Sequence, residues 1–373
     1  MSEPIRVLHI TEMLSAAGIE SFIMNMYRNV DRTKVQFDFL VLRNQKEFYD
    51  EEIRSLGGHK YYVHSDKKNT WLRVLDESRQ IEAFLKKHPY KIVHIHYTTP
   101  LRAPYLLAAK KAGVPIRIYH AHSAAVSGKS KIKLLIYDYY RNKMGNWGTD
   151  FFACSKAAAE WIYPQKMINE DKVVVVPNGI DTERFRFNKE KRKEIRSEYN
   201  CQNKYVLINT GRYSDQKNQE FLIKLMPDLL SKDNNIELWL LGKGDYKDRF
   251  QALITKLGLE NNVRLLGVKS NVEDYLSAAD CYLMPSLYEG LPVAGIEAEC
   301  NGLPCVFSEN ITKEVKLTDS TIFLSLKDKN KWVDKIMQNK DQIRYDGSKK
   351  VSESGYDVKG VAKNLQQFYT SAV

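Results

Sequence analysis

Two carboxylates, Glu289 and Glu297, stand eight residues apart in the stretch PSLYEGLPVAGIEAECNGLPCV, residues 285–306. Such a pair can accept hydrogen bonds from hydroxyls. In a glycoside hydrolase it would supply an acid and a nucleophile. The apolar run 280–284 reads as a buried strand that Pro285 ends. Pro292 suits a first helical turn, where its missing N–H costs nothing. A helix is expected over 292–301, with Gly302 as its stop and Pro304 beyond. Glu289 then sits in the loop and Glu297 one to two turns into the helix. Gly290, Leu291, Pro292 and Val293 turn the backbone toward the same space, beyond the strand's carboxyl end, where open α/β sheets bind ligands. The plainer alternative makes Glu289 a helix cap and Glu297 a solvated helix residue.

A second loop, GRYSDQKN at 211–218, places Arg212 and Lys217 five residues apart. A planar guanidinium fork with a compact ammonium suits a diphosphate, though two solvated charges would look the same. Gly242-Lys243-Gly244 ends the following strand as a related cradle. A third loop, TEMLSAAGIE at 11–20, offers Gly18, where backbone N–H groups can approach an anion at the start of a helix, though an ordinary βα loop is the better reading of it alone. The spacing is not GxGxxG, so a dinucleotide fingerprint is absent. Histidines carry less. His94 and His96 alternate on a strand and share a face; no third metal ligand is evident nearby, and structural hydrogen bonding is the better reading. His120 and His122 close another strand, and His120 could donate to a substrate oxygen.

The elements that hold these loops follow from the apolar pattern. Strands are expected at 6–10, 37–42, 60–63, 92–96, 116–120, 151–154 and 173–176, then at 206–210, 236–241, 263–266, 281–284, 305–308 and 321–324. Continuous rather than alternating apolar runs indicate parallel strands covered on both faces. Two such series make two doubly wound α/β domains, as a chain of 373 residues requires. The join lies in or just after 177–187, and an amphipathic helix at 358–371 has no strand after it.

Net charge is +11; residues 1–180 carry 27 Lys/Arg against 18 Asp/Glu, the remainder 30 against 28. The basic excess therefore belongs to the first half and fits an anionic partner (a lipid surface, a phosphorylated substrate or nucleic acid) or, more plainly, ordinary solubility charge. No zinc spacing, RNP-like aromatic motif or Arg-rich tail is present, so nucleic acid is the weakest of the three. No run approaches a membrane span, and the start does not read as a signal peptide. Five cysteines without a CxxC pair fit a reduced, cytoplasmic protein. The stretch 127–144 mixes Lys129, Lys131, Lys133, Arg141 and Lys143 with leucines and tyrosines. It reads equally as a bilayer-contacting segment or as a surface helix covering its own core.

Taken together, the E-x7-E pair of Glu289 and Glu297, Gly211-Arg212 with Lys217, Pro177-Asn178-Gly179-Ile180-Asp181 with Phe185 at the join, and Gly18-Ile19-Glu20 resemble the retaining glycosyltransferases of family 4. The resemblance covers nearly the whole chain and is closest to the branch that builds bacterial capsular and exopolysaccharides. It implies a GT-B architecture: two Rossmann-like doubly wound parallel-sheet domains facing each other across a cleft. Residues 1–187 would bind the acceptor and 188–355 the donor, with the helix 356–373 packing back on the first domain. It implies further that Arg212 and Lys217 hold the diphosphate of a nucleotide-sugar, that Glu297 binds the ribose and Glu289 the donor sugar. Gly242, Gly290, Leu291, Pro292 and Val293 would line the donor, Gly18 would close over it and His120 would hydrogen-bond its sugar. No metal and no other cofactor is expected, because protein cations replace the metal. The donor would be a UDP-sugar and the acceptor an undecaprenyl-diphosphate-linked saccharide. The enzyme would lie peripherally on the anionic inner face of the plasma membrane. One departure is Ala17, where the family loop often has a first glycine. A non-catalytic nucleotide-sugar-binding subunit and a UDP-sugar epimerase share the fold and remain alternatives.

Overall fold

The structure, a computed structural model, describes residues 3–15, 18–123 and 131–373. The chain forms two compact units, Met1–Gly179 with Val358–Val373, and Ile180–Asp357.

In the first unit seven strands form one parallel sheet: β1 Ile5–Thr11, β2 Val35–Val41, β3 Lys60–Tyr62, β4 Ile92–Tyr97, β5 Ile116–Ala121, β6 Asp150–Ala153 and β7 Val173–Val175. Their order is β3-β2-β1-β4-β5-β6-β7. The second unit repeats the plan with β8 Tyr205–Thr210, β9 Ile236–Leu241, β10 Val263–Gly267, β11 Cys281–Met284, β12 Cys305–Ser308 and β13 Thr321–Leu324, ordered β10-β9-β8-β11-β12-β13. Each expected strand forms, with ends within two residues. The reason is visible in β4, β8 and β9, whose every residue is buried. A parallel sheet covered by helices on both faces leaves no solvent side, so no polar alternation is imposed.

Strand order reverses between β1 and β4 in the first sheet and between β8 and β11 in the second. In doubly wound folds the crevice at that reversal, beyond the carboxyl ends, is the ligand site. Because β8 and β11 pair directly, the loops that follow them are neighbours, although 70-odd residues separate them in sequence.

The boundary between the units falls at Gly179/Ile180, eight residues before the expected one at 187/188. Residues 180–187 are held by the second unit. Ile180 and Phe185 lie in its core, the Ile180 N–H donates to the Tyr356 carbonyl at 2.8 Å, and Asn301 Nδ2 donates to the Phe185 carbonyl at 2.8 Å. Tyr356 and Asp357 likewise stay with the second unit, and the returning helix starts at Val358. That helix, Val358–Ser371, buries Val358, Val361, Ala362, Leu365 and Tyr369 against Phe22, Ile23, Met26 and Phe37 of the first unit.

Among the described residues no helix is long and apolar enough to cross a membrane. All five cysteines are buried and none forms a disulfide. The helix Lys131–Trp147 buries Tyr137 and Met144 and exposes Leu134, Leu135 and Tyr139. Lys129 of the basic stretch lies outside the described residues.

Candidate functional site

The site in the second unit is assembled from strand ends. The loop after β8 turns at Gly211 and runs to Asn218, which caps the helix Gln219–Lys232 in the left-handed conformation (φ 51°, ψ 37°). Asparagine tolerates that region better than most residues. Three bonds lash this loop to the one after β11. The Leu287 N–H donates to the Gln216 carbonyl at 2.8 Å, Gln216 Nε2 to the Tyr288 carbonyl at 3.1 Å, and Asn218 Nδ2 to the Pro285 carbonyl at 3.1 Å. Buried Gln219 adds a bond from Nε2 to the Arg212 carbonyl at 2.9 Å. The backbone presenting Arg212 and Lys217 is thus fixed from both sides.

Gly242 closes the same end of the sheet. Its φ is +146°, and a Cβ there would lie 1.9 Å from the Gly211 carbonyl oxygen. The turns after β8 and β9 can approach this closely only because Gly242 has no side chain.

Lys217 and Glu289 meet. Nζ stands 2.6 Å from Oε1, with both side chains largely buried. The pair is a charge contact rather than an aligned hydrogen bond, since Oε1 has no hydrogen-bond partner. Arg212 is exposed and has no ion-pair partner among the described residues. Pro292 is the N-cap of the helix Val293–Cys300, so the helix begins one residue later than expected. Glu297 lies in its second turn and Glu289 in the preceding loop, as the proline spacing implies. Gly290, Leu291 and Val293 are partly exposed and Pro292 is buried. The carboxyl of Glu297 has no hydrogen-bond partner among the described residues. Burial raises it to about 7, against the pull of the Arg184 guanidinium and with a further push from Glu273. Ser286, at the mouth of β11, is fully buried with an unpartnered hydroxyl. Sequence reasoning passed over Ser286, Gln216 and Gln219; their only local signal is polarity beside an apolar strand.

In the first unit Gly18 opens the helix Gly18–Asn29. A Cβ there would meet nothing within 4 Å, so packing does not require glycine. Ala17 lies outside the described residues. His120 is not placed as expected. It is fully buried at the end of β5, beside Phe22 and Phe152, with Nδ1 3.2 Å from His94 Nε2. His122, two residues on, is the partly exposed one. The histidine pair on β4 is hydrogen-bonded, as its local reading has it, and metal-capable partners that sequence proximity did not show are also present. His9 comes from β1, and His120 and His122 from the end of β5. Two triads, His9/His94/His96 and His96/His120/His122, each bring ring nitrogens within 4.8 Å of one another. Burial lowers His9 to about 3 and holds His94, His96 and His120 well below the usual imidazole range, so these rings are neutral at physiological pH.

A separate pocket of about 360 Å³ opens at the carboxyl ends of β1–β3, lined by Arg43, Arg73, Arg102 and His64 together with Glu12 and Glu77. Arg102 is fixed by Glu77 at 2.5 Å and Arg43 by Glu12 at 3.2 Å. Arg73 stands 4.0 Å from Glu77, and its Nε is buried without a hydrogen-bond partner.

Residues 16–184 match the family model described as Glycosyltransferase Family 4, and residues 191–340 match Glycosyl transferases group 1. The putative glycosyltransferase EpsF of Bacillus subtilis is 34% identical over 83% of this chain and 80% of its own length. The chain belongs to glycosyltransferase family 4. Two further relatives of this family 4 enzyme are informative. A UDP-Gal:α-D-GlcNAc-diphosphoundecaprenol α-1,3-galactosyltransferase of Escherichia coli is 26% identical over 82% of the chain and 79% of its own. The capsular polysaccharide biosynthesis glycosyltransferase CapH of Staphylococcus aureus is 25% identical over 98% of the chain and 99% of its own. In architecture the family 4 enzyme matches Anabaena HepE, solved in complex with UDP, with a TM-score of 0.78 at 16% identity over 98% of this chain and 100% of that one. Both sheets therefore follow the GT-B plan.

Proposed function

We propose that this glycosyltransferase moves a sugar from a UDP-sugar, with retention at the anomeric carbon, to a growing undecaprenyl-diphosphate-linked saccharide in capsular or exopolysaccharide synthesis. The observation that carries the reading is the Lys217–Glu289 ion pair, set beside exposed Arg212 and partnerless Glu297 at the sheet's reversal point. A donor bringing its own phosphates supplies what this constellation lacks. Arg212 and Lys217 hold the diphosphate and neutralise it as it leaves, so UDP departs without a general acid. No divalent cation is needed at that position, because the two side chains provide its charge. Glu289 accepts from the sugar hydroxyls, and Glu297 from the ribose.

The donor base follows the E. coli relative named for UDP-Gal and the HepE complex with UDP. The lipid diphosphate acceptor follows the same relative. The arginine pocket of the first unit suits the acceptor's diphosphate, Arg73 having the least committed charge. Leu134, Leu135 and Tyr139, exposed on a helix with Lys133 and Lys143, suit an anionic bilayer surface.

The test is a thermal-shift panel of UDP-, GDP- and ADP-sugars without added metal, on wild type and Glu297→Ala. A ligand bound only by the native state raises the melting temperature. A shift with UDP-sugars alone, lost in the variant, supports the reading. No shift with any nucleotide-sugar overturns it.

A further inference from the structure

Five of the eight histidines gather on one face of the first sheet. Parallel register sets His9 beside His94 and His96 beside His120. We propose that His96, His120 and His122 form a binding site for one transition-metal dication of the zinc class, with a fourth position left open on the outward side.

The hydrogen bonds leave room for it. His9 Nδ1 lies 2.9 Å from His96 Nε2 and His96 Nδ1 lies 2.9 Å from His122 Nε2. His94 Nε2 lies 3.2 Å from His120 Nδ1 and His94 Nδ1 lies 2.6 Å from the Tyr369 hydroxyl. A neutral imidazole has one N–H and one lone pair. Whichever way the protons run, both chains end on a buried nitrogen without a partner: His9 Nε2 and His120 Nε2. Such orphan atoms are uncommon in buried polar networks. A metal at the outer triad takes up one of them. His120 Nε2, His96 Nδ1 and His122 Nε2 are the lone pairs available to it.

The remaining nitrogens then act as the outer shell that metal-bound histidines require. His120 Nδ1–H donates to His94 Nε2, and His96 Nε2–H donates to His9 Nδ1. Tyr369, from the returning helix, holds His94 in turn. At metal–nitrogen lengths of about 2.0–2.1 Å, tetrahedral ligands sit about 3.3 Å apart. The His96–His122 contact therefore opens by a few tenths of an ångström. The inner triad, His9/His94/His96, is sealed from solvent, whereas partly exposed His122 gives the outer triad a route for the ion. Three imidazoles without a carboxylate or thiolate favour zinc, cobalt, nickel or copper over magnesium or calcium. The site is in the first unit and is independent of the cations proposed for the donor diphosphate.

The experiment uses the full chain without a histidine tag, stripped with chelator and titrated with Co²⁺. Bound metal is counted by mass spectrometry and its geometry read from visible absorption. One Co²⁺ per chain with the intense bands of tetrahedral nitrogen coordination, displaced by Zn²⁺, is expected. His122→Ala should abolish the bands, while His88→Ala, elsewhere on the surface, should keep them. Wild type that retains less than a tenth of an equivalent overturns the proposal without recourse to any variant. So do bands that survive both His122→Ala and the gentler His122→Gln.

Discussion

The ammonium of Lys217 stands 2.6 Å from the Glu289 carboxylate, joining the loop after β8 to the loop after β11. Each charge neutralises the other. Lys217→Ala, Glu289→Ala and Arg212→Ala should each lower turnover about 10²-fold or more, the loss typical of one preorganised charge contact. The three differ in stability. Lys217→Ala leaves a largely buried carboxylate unpaired and should lower the melting temperature, whereas exposed Arg212 can be removed without that cost. Steady-state rates and melting curves on the same samples check both halves; wild-type turnover in any of the three removes that residue from the site.

Glu297 titrates near neutrality, raised to about 7 by burial. If the carboxylate is the form that accepts ribose hydroxyls, donor affinity should rise as pH increases through 7. Glu297→Gln should bind weakly at every pH. Donor dissociation constants measured between pH 6 and 8 decide this, and a flat wild-type profile counts against the ribose role.

Glu299, two residues along the same helix, is fully buried and also raised to about 7 by burial, with Thr321 and the Leu317 N–H bonded to it. Here the linkage concerns stability. A raised carboxyl pKa favours the protonated native state, so the contribution is complete below the unfolded value of 4.5 and is lost as pH rises through 7. Its size is on the order of 3 kcal/mol. Urea midpoints should fall between pH 5 and 8 in wild type and fall less in Glu299→Gln.

Arg73→Ala should raise the KM for a diphosphate-linked acceptor about 10-fold with little change in donor affinity, as expected for one charge-assisted contact worth about 1.5 kcal/mol. An unchanged acceptor KM would detach the arginine pocket from acceptor binding.

Vesicle sedimentation tests the surface of the helix Lys131–Trp147. Binding to phosphatidylglycerol vesicles should exceed binding to phosphatidylcholine and should weaken with salt. Leu135→Asp, at a position 70% exposed, should weaken it about 10-fold, the equivalent of about 1.5 kcal/mol of apolar burial. Equal binding to both lipids would exclude an electrostatic surface contact.

What the sequence discloses and what it hides divide along the range of the interactions. Strands such as β9 are legible because an unbroken apolar run has few other ways to be buried. The loop placement of Glu289 is legible because Pro285 and Pro292 bracket it. The pairing of Lys217 with Glu289 is not, since it depends on β8 and β11 being neighbours in a sheet whose order departs from chain order. The histidine cluster is hidden for the same reason: His9 and His96 are 87 positions apart. The join is legible to within 177–187, but its exact place at Gly179/Ile180 is not, because Phe185 looks like part of a linker until its burial among second-unit side chains is seen. The burial of His120 is hidden as well, because strand-end position alone does not say which of the rings at 120 and 122 is covered.

The helix Val358–Ser371 belongs to the first unit but follows the second in the chain. During synthesis the ribosome releases every strand of the second sheet before it supplies Tyr369, the side chain that fills the space between His94 and Phe37. The nascent chain can therefore finish its later-encoded half first, while the earlier half waits with one flank uncovered. Its apolar residues there, Phe22 and Met26 among them, are the surface a chaperone would have to guard during that interval.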